Sequence, residues 1–356
     1  MNAPAPKPRQ RKLVTKEALI TAEINSPITV TPLDFSRDEV LADYHRVLKA
    51  SASHGRNNPS VWTLDGLRSY FGSLVDPDAT KLYGAYLDGE LLGVASAEIS
   101  EEDGLKNLEL NIEVLPDYRR QGIGSAIYRH CADELLSTPY LISGEAYPPF
   151  GQAKTWPGHL FAQSLGFSLV HEEEHMQMTR EALQDGLGSS PASGLPEGFN
   201  LISWQGATPA EYLEEFAQLR TNMEVDVPTG QSVKAPKVWS VQEVRSHDQR
   251  VSARGNCQWV SAVQAPDGAL AGYTLIYSSS DSTELEQDDT YILRKYRGLG
   301  LGLPLKLHNH WHVLEGVSNF SAVTSWVDAE NLAMYAVNRA LGYQGLELCQ
   351  MLEEQG

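Results

Sequence analysis

Hydrophobic and polar positions along this chain follow two patterns, which predict short strands and amphipathic helices. Residues 28–34 and 108–115 alternate as strands do, whereas 36–52 and 119–136 carry apolar residues three or four positions apart, as helices do. In the last of these segments the apolar residues form one stripe, which we expect to face a core. Strands and helices interleave along the whole chain, so the pattern predicts an α/β (α+β) protein. The stripe consists of Ile123, Ile127, Cys131 and Leu135.

The order of elements in the first half returns in the second half. Both halves contain an Asp-Gly hairpin signal, then a Tyr-Arg-x-x-Gly-x-Gly loop, then a Leu-Gly-aromatic triplet. The loop and the triplet recur about 177 residues later in the same order, which indicates duplication. In chain order, the paired signals are Asp88-Gly89 with Asp267-Gly268, Tyr118 to Gly124 with Tyr296 to Gly302, and Leu165 to Phe167 with Leu341 to Tyr343.

Composition shifts suggest where the two halves begin and end. Residues 1–26 are basic, contain prolines and show no apolar periodicity, which is typical of a disordered tail. Residues 183–197 are rich in Gly, Ser and Pro, which favours a linker. The sequence therefore predicts domains over 27–182 and 198–356.

Charge excludes one class of partner. The net charge is -18, and such a field repels nucleic-acid backbones and favours cationic ligands. Any phosphate site must then be built locally, from backbone N–H groups and a few arginines. We expect no nucleic-acid partner.

Metal and membrane signals are weak. The three cysteines (Cys131, Cys257 and Cys349) are far apart and fit no disulfide framework or zinc spacing. Three histidines lie close together at His308, His310 and His312, but the glutamate of a zincin helix is missing. We therefore expect no metal site. No apolar run approaches the ~20 residues that cross a bilayer, and the basic start has no apolar signal region. A cytoplasmic protein without a membrane partner is the expectation.

The strongest chemical signal is the Arg-x-x-Gly-x-Gly loop between a strand and a helix in each half. The first N–H groups of a helix have no partner within it, and the helix dipole adds positive charge there. Glycines let a diphosphate approach these groups, and arginine can bind phosphate in a bidentate way. Neither the dinucleotide fingerprint Gly-x-Gly-x-x-Gly nor a Gly-Lys-Ser/Thr triplet occurs in these loops. Each loop is therefore a candidate diphosphate site of another class.

Val114-x-Pro116 followed by Arg119-x-x-Gly122-x-Gly124 resembles motif A of the GNAT acyltransferase superfamily, and the later Leu-Gly-aromatic triplet fits that family too. The resemblance covers roughly 28–180 and 197–356, and the tandem arrangement is similar to that of mycothiol synthase-type members. It implies two tandem GNAT-like domains, each a mixed, mostly antiparallel sheet flanked by helices. The sheet would splay between its fourth and fifth strands and hold acetyl-CoA or another acyl-CoA there.

The same resemblance implies the cofactor-binding residues. Pantetheine would pair with the fourth strand, and pyrophosphate would lie on the loop. The second loop departs from the pattern, because Arg294 stands where Pro116 would fall. The implied residues are Val114, Leu115, Arg119, Arg120, Gln121, Gly122, Ile123, Gly124 and Ser125 in the first half, and Ile292, Leu293, Arg297, Gly298, Leu299, Gly300, Leu301 and Gly302 in the second.

Acylation of an amine needs a base and donors for an oxyanion, and the leaving thiolate can take a proton. On the fourth strand of the first half, Glu109 and Glu113 share one face and are candidate bases. Asp289 is the corresponding candidate in the second half. The family's usual tyrosine acid is missing from both halves, where Ala162 and Asn338 stand; Tyr335, one turn before Asn338, is a substitute, and Tyr147 is a weaker one.

These residues predict an N-acyltransferase acting on a small, possibly cationic amine by direct transfer through a tetrahedral intermediate. Asn331, Tyr335 and Asn338 favour the second half for the chemistry, whereas the first half has the fuller motif A. Acetylation of an aminosugar conjugate, as in mycothiol synthase, is the alternative acceptor. A non-catalytic acyl-CoA sensor also stays open, as does acetylation of proteins.

Overall fold

The computed structural model describes residues 28–354, with gaps at 58, 60, 75–78, 103–104, 136–139, 187–193, 227–235 and 281. The predicted tail, 1–26, lies outside the described residues. Strands and helices alternate in the first half in the predicted order. These elements are β1 (Thr29–Leu33), α1 (Asp38–Ala52), α2 (Leu64–Gly72), β2 (Thr80–Leu87), β3 (Glu90–Glu102), β4 (Leu105–Val114), α3 (Ile123–Leu135), β5 (Tyr140–Ala146), α4 (Pro157–Ser164), β6 (Phe167–Thr179) and α5 (Arg180–Gly186).

The second half repeats this order. The hairpin turn at Asp267-Gly268 and the loop before the long helix both lie where the sequence predicts them. The elements are β7 (Asn200–Gln205), α6 (Leu213–Asp226), α7 (Val241–Ala253), β8 (Asn256–Gln264), β9 (Leu270–Ser279), β10 (Glu284–Ile292), α8 (Gly302–Gly316), β11 (Ala322–Asp328), α9 (Leu332–Leu341) and β12 (Gln344–Glu354).

The strands of both halves form one mixed sheet rather than a separate sheet in each half. Within the described residues its order is β1-β2-β3-β4-β5-β12-β6-β11-β10-β9-β8-β7. The last strand of the chain, β12, lies between β5 and β6 of the first half, and β6 in turn pairs with β11 of the second half. Each half therefore lends a strand to the other, an exchange that the sequence does not predict.

Two strand pairs separate part-way along their length. β4 and β5 run parallel from the pair Lys106–Tyr140 to the pair Glu109–Ser143 and then diverge. In the second half β10 and β11 are paired from Glu284–Ala322 to Gln287–Ser325 and then also diverge. The predicted splay between the fourth and fifth strands is thus present in both halves.

Helices cover the sheet and bury its apolar residues. The predicted stripe on α3 is fully inside the first-half core, together with Leu108 of β4 and Ile142 of β5. The predicted linker begins inside α5, because Leu183 packs against Met176 and Met178 of β6. No helix in the described part of the chain is both long and apolar enough to cross a bilayer.

Candidate active site

A cleft of about 700 Å³ opens where β4 and β5 diverge. Its walls come from the end of α1, the last residues of β4, the Arg-x-x-Gly-x-Gly loop with the start of α3, the end of β5, and α4. Val114 of β4 lines it, and so do six of the residues predicted to bind the cofactor between Arg119 and Ser125. These six are Arg119, Arg120, Gly122, Ile123, Gly124 and Ser125. The volume is in the range of small-molecule and cofactor sites.

Backbone conformation brings the loop close to the cleft. Arg120 and Gly122 both have left-handed conformations, with φ of +65° and +85°. α3 then begins at Ile123, and the first residues of this helix line the cleft. Their N–H groups have no partner within the helix. A Cβ at Gly124 would lie 3.1 Å from the ring of Phe161, so glycine there lets α4 pack closely on the loop. This arrangement suits a diphosphate at the helix start.

Arg119 connects the loop to β4 and to the end of α1. Its Nε donates to the Val114 carbonyl (3.2 Å), and its Nη2 donates to the carbonyl (3.2 Å) and hydroxyl (2.9 Å) of Ser51. The Ser51 hydroxyl in turn donates to Glu113. Burial raises the pKa of Glu113, although the Ser51 hydrogen bond and Arg119 oppose this. The predicted base Glu113 thus lines the cleft, and Ser51 links it to Arg119.

The end of β5 brings an acid and a phenol into the same cleft. Glu145 and Tyr147 both line it, and the Tyr147 hydroxyl donates to Glu145. Burial, with the neighbouring Glu145, raises the pKa of Tyr147 well above its usual value. The sequence indicated Tyr147 only weakly and missed Glu145. The signal was the alternation along 141–147, which puts both side chains on one face of the strand.

β12 holds this wall in place. Arg56 lies 4.7 Å over the Tyr147 ring and forms two hydrogen bonds, of 2.7 and 2.6 Å, with the Glu347 carboxylate. Both members of this ion pair are buried, with side chains 6% and 4% exposed. Because Glu347 belongs to the exchanged strand, the second half completes the cleft of the first.

Glu109, the other predicted base of the first half, lies at the last paired position before β4 leaves β5. It accepts a long hydrogen bond (3.5 Å) from Asn111. Unlike Glu113, it is not part of the cleft wall described above.

The second loop has the same backbone shape as the first. Gly298 and Gly300 have φ of +79° and +75°, at the positions of Arg120 and Gly122. Arg297 donates from Nε to the Ile292 carbonyl (3.0 Å), as Arg119 does to Val114. Its Nη2, however, donates to the carboxylate of Asp226 (2.6 Å).

Asp289 lies in an irregular part of β10. The pairing with β9 shifts by one residue between Gln287 and Thr290, which is a β-bulge, whereas β4 pairs with β3 without interruption. Asp289 accepts a 2.5 Å hydrogen bond from Tyr273 and lies 3.6 Å from the buried Arg220. Burial raises the pKa of Asp289.

Tyr335 and Asn338 lie on α9, and within the described residues neither contacts Asp289. Asn338 is fully buried, and its side-chain oxygen accepts a hydrogen bond (2.6 Å) from the buried Lys306. The Tyr335 hydroxyl accepts from Arg339 (2.7 Å). Because Asn338 is fully buried, its side chain cannot contact a substrate.

Metal-binding groups of three or more His, Cys, Asp or Glu are absent from the described residues. His310, one of the three histidines on α8, is buried and bonded to the Lys306 carbonyl and the Tyr343 hydroxyl. Both ring nitrogens of His310 therefore have hydrogen-bond partners within the protein.

Comparison with known proteins agrees with this geometry. Residues 45–141, from α1 to the start of β5, match the model of the acetyltransferase (GNAT) family. The match spans just over a quarter of the chain and includes motif A. This part of the chain is therefore similar to the acetyltransferase (GNAT) family.

Known proteins are similar to this chain over much of its length. Over 249 residues, 65% of this chain, it is 26% identical to the mycothiol acetyltransferase of Rothia mucilaginosa (strain DY-18), and the match spans 66% of that relative, just under two thirds. A tandem GNAT protein from the clavulanic acid biosynthesis pathway has a similar fold (TM-score 0.73, 21% identity, 92% of this chain and 99% of that one). A GCN5-related N-acetyltransferase from Sphaerobacter thermophilus is also similar (TM-score 0.65, 16% identity, 92% and 95% covered).

Proposed function

We propose that this protein transfers an acyl group, in particular the acetyl group of acetyl-CoA, to the amine of a small molecule. The observation that carries this proposal is the first-half cleft, which joins a diphosphate-type loop to an acid and a phenol within one cavity. The match of residues 45–141 to the acetyltransferase (GNAT) family model supports the use of acetyl-CoA. We place the chemistry in the first half, although Asn331, Tyr335 and Asn338 favoured the second half in the sequence, because Asn338 is enclosed.

The cleft suggests a role for each group that lines it. The loop N–H groups and Arg120 would hold the diphosphate at the start of α3. Glu145 would accept a proton from the ammonium group of the acceptor, leaving a neutral amine. Tyr147 keeps its own proton at neutral pH because its pKa is raised. Once Glu145 is protonated, the Tyr147 hydroxyl can turn from Glu145 and donate a hydrogen bond to the developing oxyanion or to sulfur.

The overall transfer then balances. The amine nitrogen forms a bond to the acyl carbon, and the carbon–sulfur bond of the tetrahedral intermediate breaks. The thiolate leaves readily because a thiol pKa is near 8.5, and it gains a proton as CoA departs. The second proton of the nitrogen passes, directly or through solvent, to the departing thiolate, and Glu145 then returns the first proton to solvent.

Similarity to a mycothiol acetyltransferase favours a second candidate acceptor, an aminosugar conjugate. An aminosugar conjugate would use the same cleft and the same chemistry as a simpler amine. The two acceptors differ only in the part of the molecule that lies beyond the amine held by Glu145. Acceptor screening distinguishes it from a simpler amine.

Calorimetric titration with acetyl-CoA, followed by product detection with a panel of amines and aminosugars, tests the proposal. We expect micromolar binding and an N-acyl product from at least one amine. Arg120→Glu, an exposed charge reversal in the loop, should weaken binding without unfolding the protein. Absence of both heat and thermal stabilisation would refute acetyl-CoA binding, and binding without any turnover would favour the sensor.

A further inference from the structure

The two loops are held by similar networks that differ in where the carboxylate lies. Arg119 and Arg297 each donate from Nε to the carbonyl five residues earlier, at Val114 and Ile292. Each also donates from Nη2 to the end of the first helix of its half. The acceptor there is Ser51 near the end of α1 and Asp226 at the end of α6. Ser51 and Asp226 are therefore structural counterparts.

The next residue in each network also has a counterpart. Ser51 donates to Glu113, which precedes Val114, whereas Asp226 accepts a 2.8 Å hydrogen bond from Tyr291, which precedes Ile292. Thus the carboxylate sits on the strand in the first half and on the helix end in the second.

This difference changes the charge that each arginine presents. In the first half the direct acceptors of Arg119 are a hydroxyl and two carbonyls, which are neutral. The positive charge of Arg119 therefore stays available to a phosphate near the cleft.

In the second half one carboxylate takes up two guanidinium groups. Asp226, whose side chain is 7% exposed, accepts hydrogen bonds of 2.8 and 2.5 Å from Arg294 and of 2.6 Å from Arg297. Hydrogen bonds from Arg294 lower the pKa of Asp226 to about 2, so it is ionised at neutral pH. Asp226 therefore engages both guanidinium groups, so that fewer of their N–H donors are free for a phosphate and one of their two positive charges is offset.

The remaining loop cation, Lys295, lies 4.6 Å from the ring centroid of Tyr296. A lysine is a point charge without the fork geometry that binds phosphate in a bidentate way.

We infer that Asp226 closes the second loop to pyrophosphate, so that the protein binds one acyl-CoA, in the first cleft. This inference rests on the proposed function for the identity of the ligand. It makes the Ser51/Asp226 position a determinant of which half binds the cofactor.

Calorimetry with acetyl-CoA on the full chain tests the inference through stoichiometry. Wild type should bind one molecule. Asp226→Ser, which copies the first half, should bind two, and Asp226→Asn should do the same if serine proves unstable. Adding Arg120→Glu to Asp226→Ser should weaken the first site and leave the second, which assigns the new heat to the second loop.

The reciprocal change is the matched control. Ser51→Asp with Glu113→Tyr copies the helix-end carboxylate and the strand tyrosine of the second half into the first loop, and should weaken acetyl-CoA binding at least about tenfold. Ser51→Ala, which adds no charge, should bind much more tightly than this double variant. Thermal melting of each variant shows whether it is folded.

The outcomes separate this inference from the proposed function. Two sites in wild type, or a single site in folded Asp226→Ser and Asp226→Asn, would overturn the role of Asp226. No site in wild type but one in Asp226→Ser would overturn the proposed first-half site and retain the role of Asp226. No binding by any of these proteins would overturn both.

Discussion

Arg120 has a left-handed backbone conformation, which costs a residue with a Cβ about 1–2 kcal/mol. Gly298 occupies the same position in the second loop with nearly the same φ. We expect Arg120→Gly to raise the free energy of unfolding by about 1 kcal/mol while weakening acetyl-CoA binding. Urea denaturation and calorimetry measure the two effects, and Gly298→Arg is the matched control, which should destabilise. A less stable Arg120→Gly would contradict the strain argument.

Lys306 is a buried cation without a carboxylate partner among the described contacts. Burial lowers its pKa to about 7 from 10.5, so the unfolded chain binds more protons between these two values. Stability should therefore rise as the pH increases from about 7 to about 10.5, and the penalty should be complete below pH 7.

Lys306→Met removes this titration. We expect the variant to be about 1–3 kcal/mol more stable at pH 7, because the gain exceeds the cost of leaving the Asn338 oxygen unpaired. Its stability should also change less between pH 7 and 10. Denaturation at several pH values checks both, and an unchanged pH slope would mean that the lysine stays charged.

Glu145 is the proposed base, so its loss should affect the chemical step. We expect Glu145→Gln to lower kcat about a hundredfold or more, with little change in KM for acetyl-CoA. Glu90→Gln, an exposed acid at a hairpin turn, is the control. If Glu145→Gln keeps the activity of wild type, the base lies elsewhere, and Glu113, the other predicted base that lines the cleft, is then the next candidate.

At the scale of elements, the sequence predicts the strand–loop–helix units well because their signals are local. Glycines with positive φ, a strand before them and an apolar stripe after them suffice to place the start of α3. The other wall of the cleft is harder to predict. Glu145 and Tyr147 reach it only because β5 diverges from β4 after Ser143, which depends on pairing between distant segments.

Asp289 shows the same limit in the second half. The sequence places it on a strand, but the bulge that separates it from the regular ladder depends on the register with β9. Its partners Tyr273 and Arg220 come from β9 and α6, so its environment could not be read from its own segment.

The contact between β12 and the end of α1 is an element-scale feature with a measurable energy. Removing one member of a buried ion pair typically costs about 3–5 kcal/mol, because the other charge stays buried without a partner. We expect this loss in unfolding free energy for Glu347→Ala. The double variant Arg56→Met with Glu347→Leu should recover much of it. Equal losses in both variants would indicate that the pair stabilises by more than charge compensation.

At the scale of the molecule, duplication is visible in the sequence but strand exchange is not. Recurring motifs predict two copies of one fold, and the predicted domains over 27–182 and 198–356 would each keep their own strands. Pairing of β12 with β5 and β6 depends on which copy of a similar strand fits better. No local pattern in residues 344–354 encodes that choice.

The exchange of β6 and β12 between the halves predicts how each half behaves when it is expressed alone. Residues 28–186 alone would leave β5 and β6 without the strand between them, and such open edges associate or aggregate. We expect each half expressed alone to be insoluble or oligomeric. Co-expressed halves should form a soluble 1:1 complex that binds acetyl-CoA, because β12 then completes the cleft through Glu347.

Size-exclusion chromatography with light scattering, followed by calorimetry, reads both properties. A monomeric first half that binds acetyl-CoA as tightly as the full chain would show that β12 is dispensable for the cleft. A complex that assembles but fails to bind would instead separate the structural role of the exchange from its role in the site. Adding Glu347→Ala to the second half of the co-expressed pair localises the effect, since it removes the partner of Arg56 and leaves the rest of β12 intact.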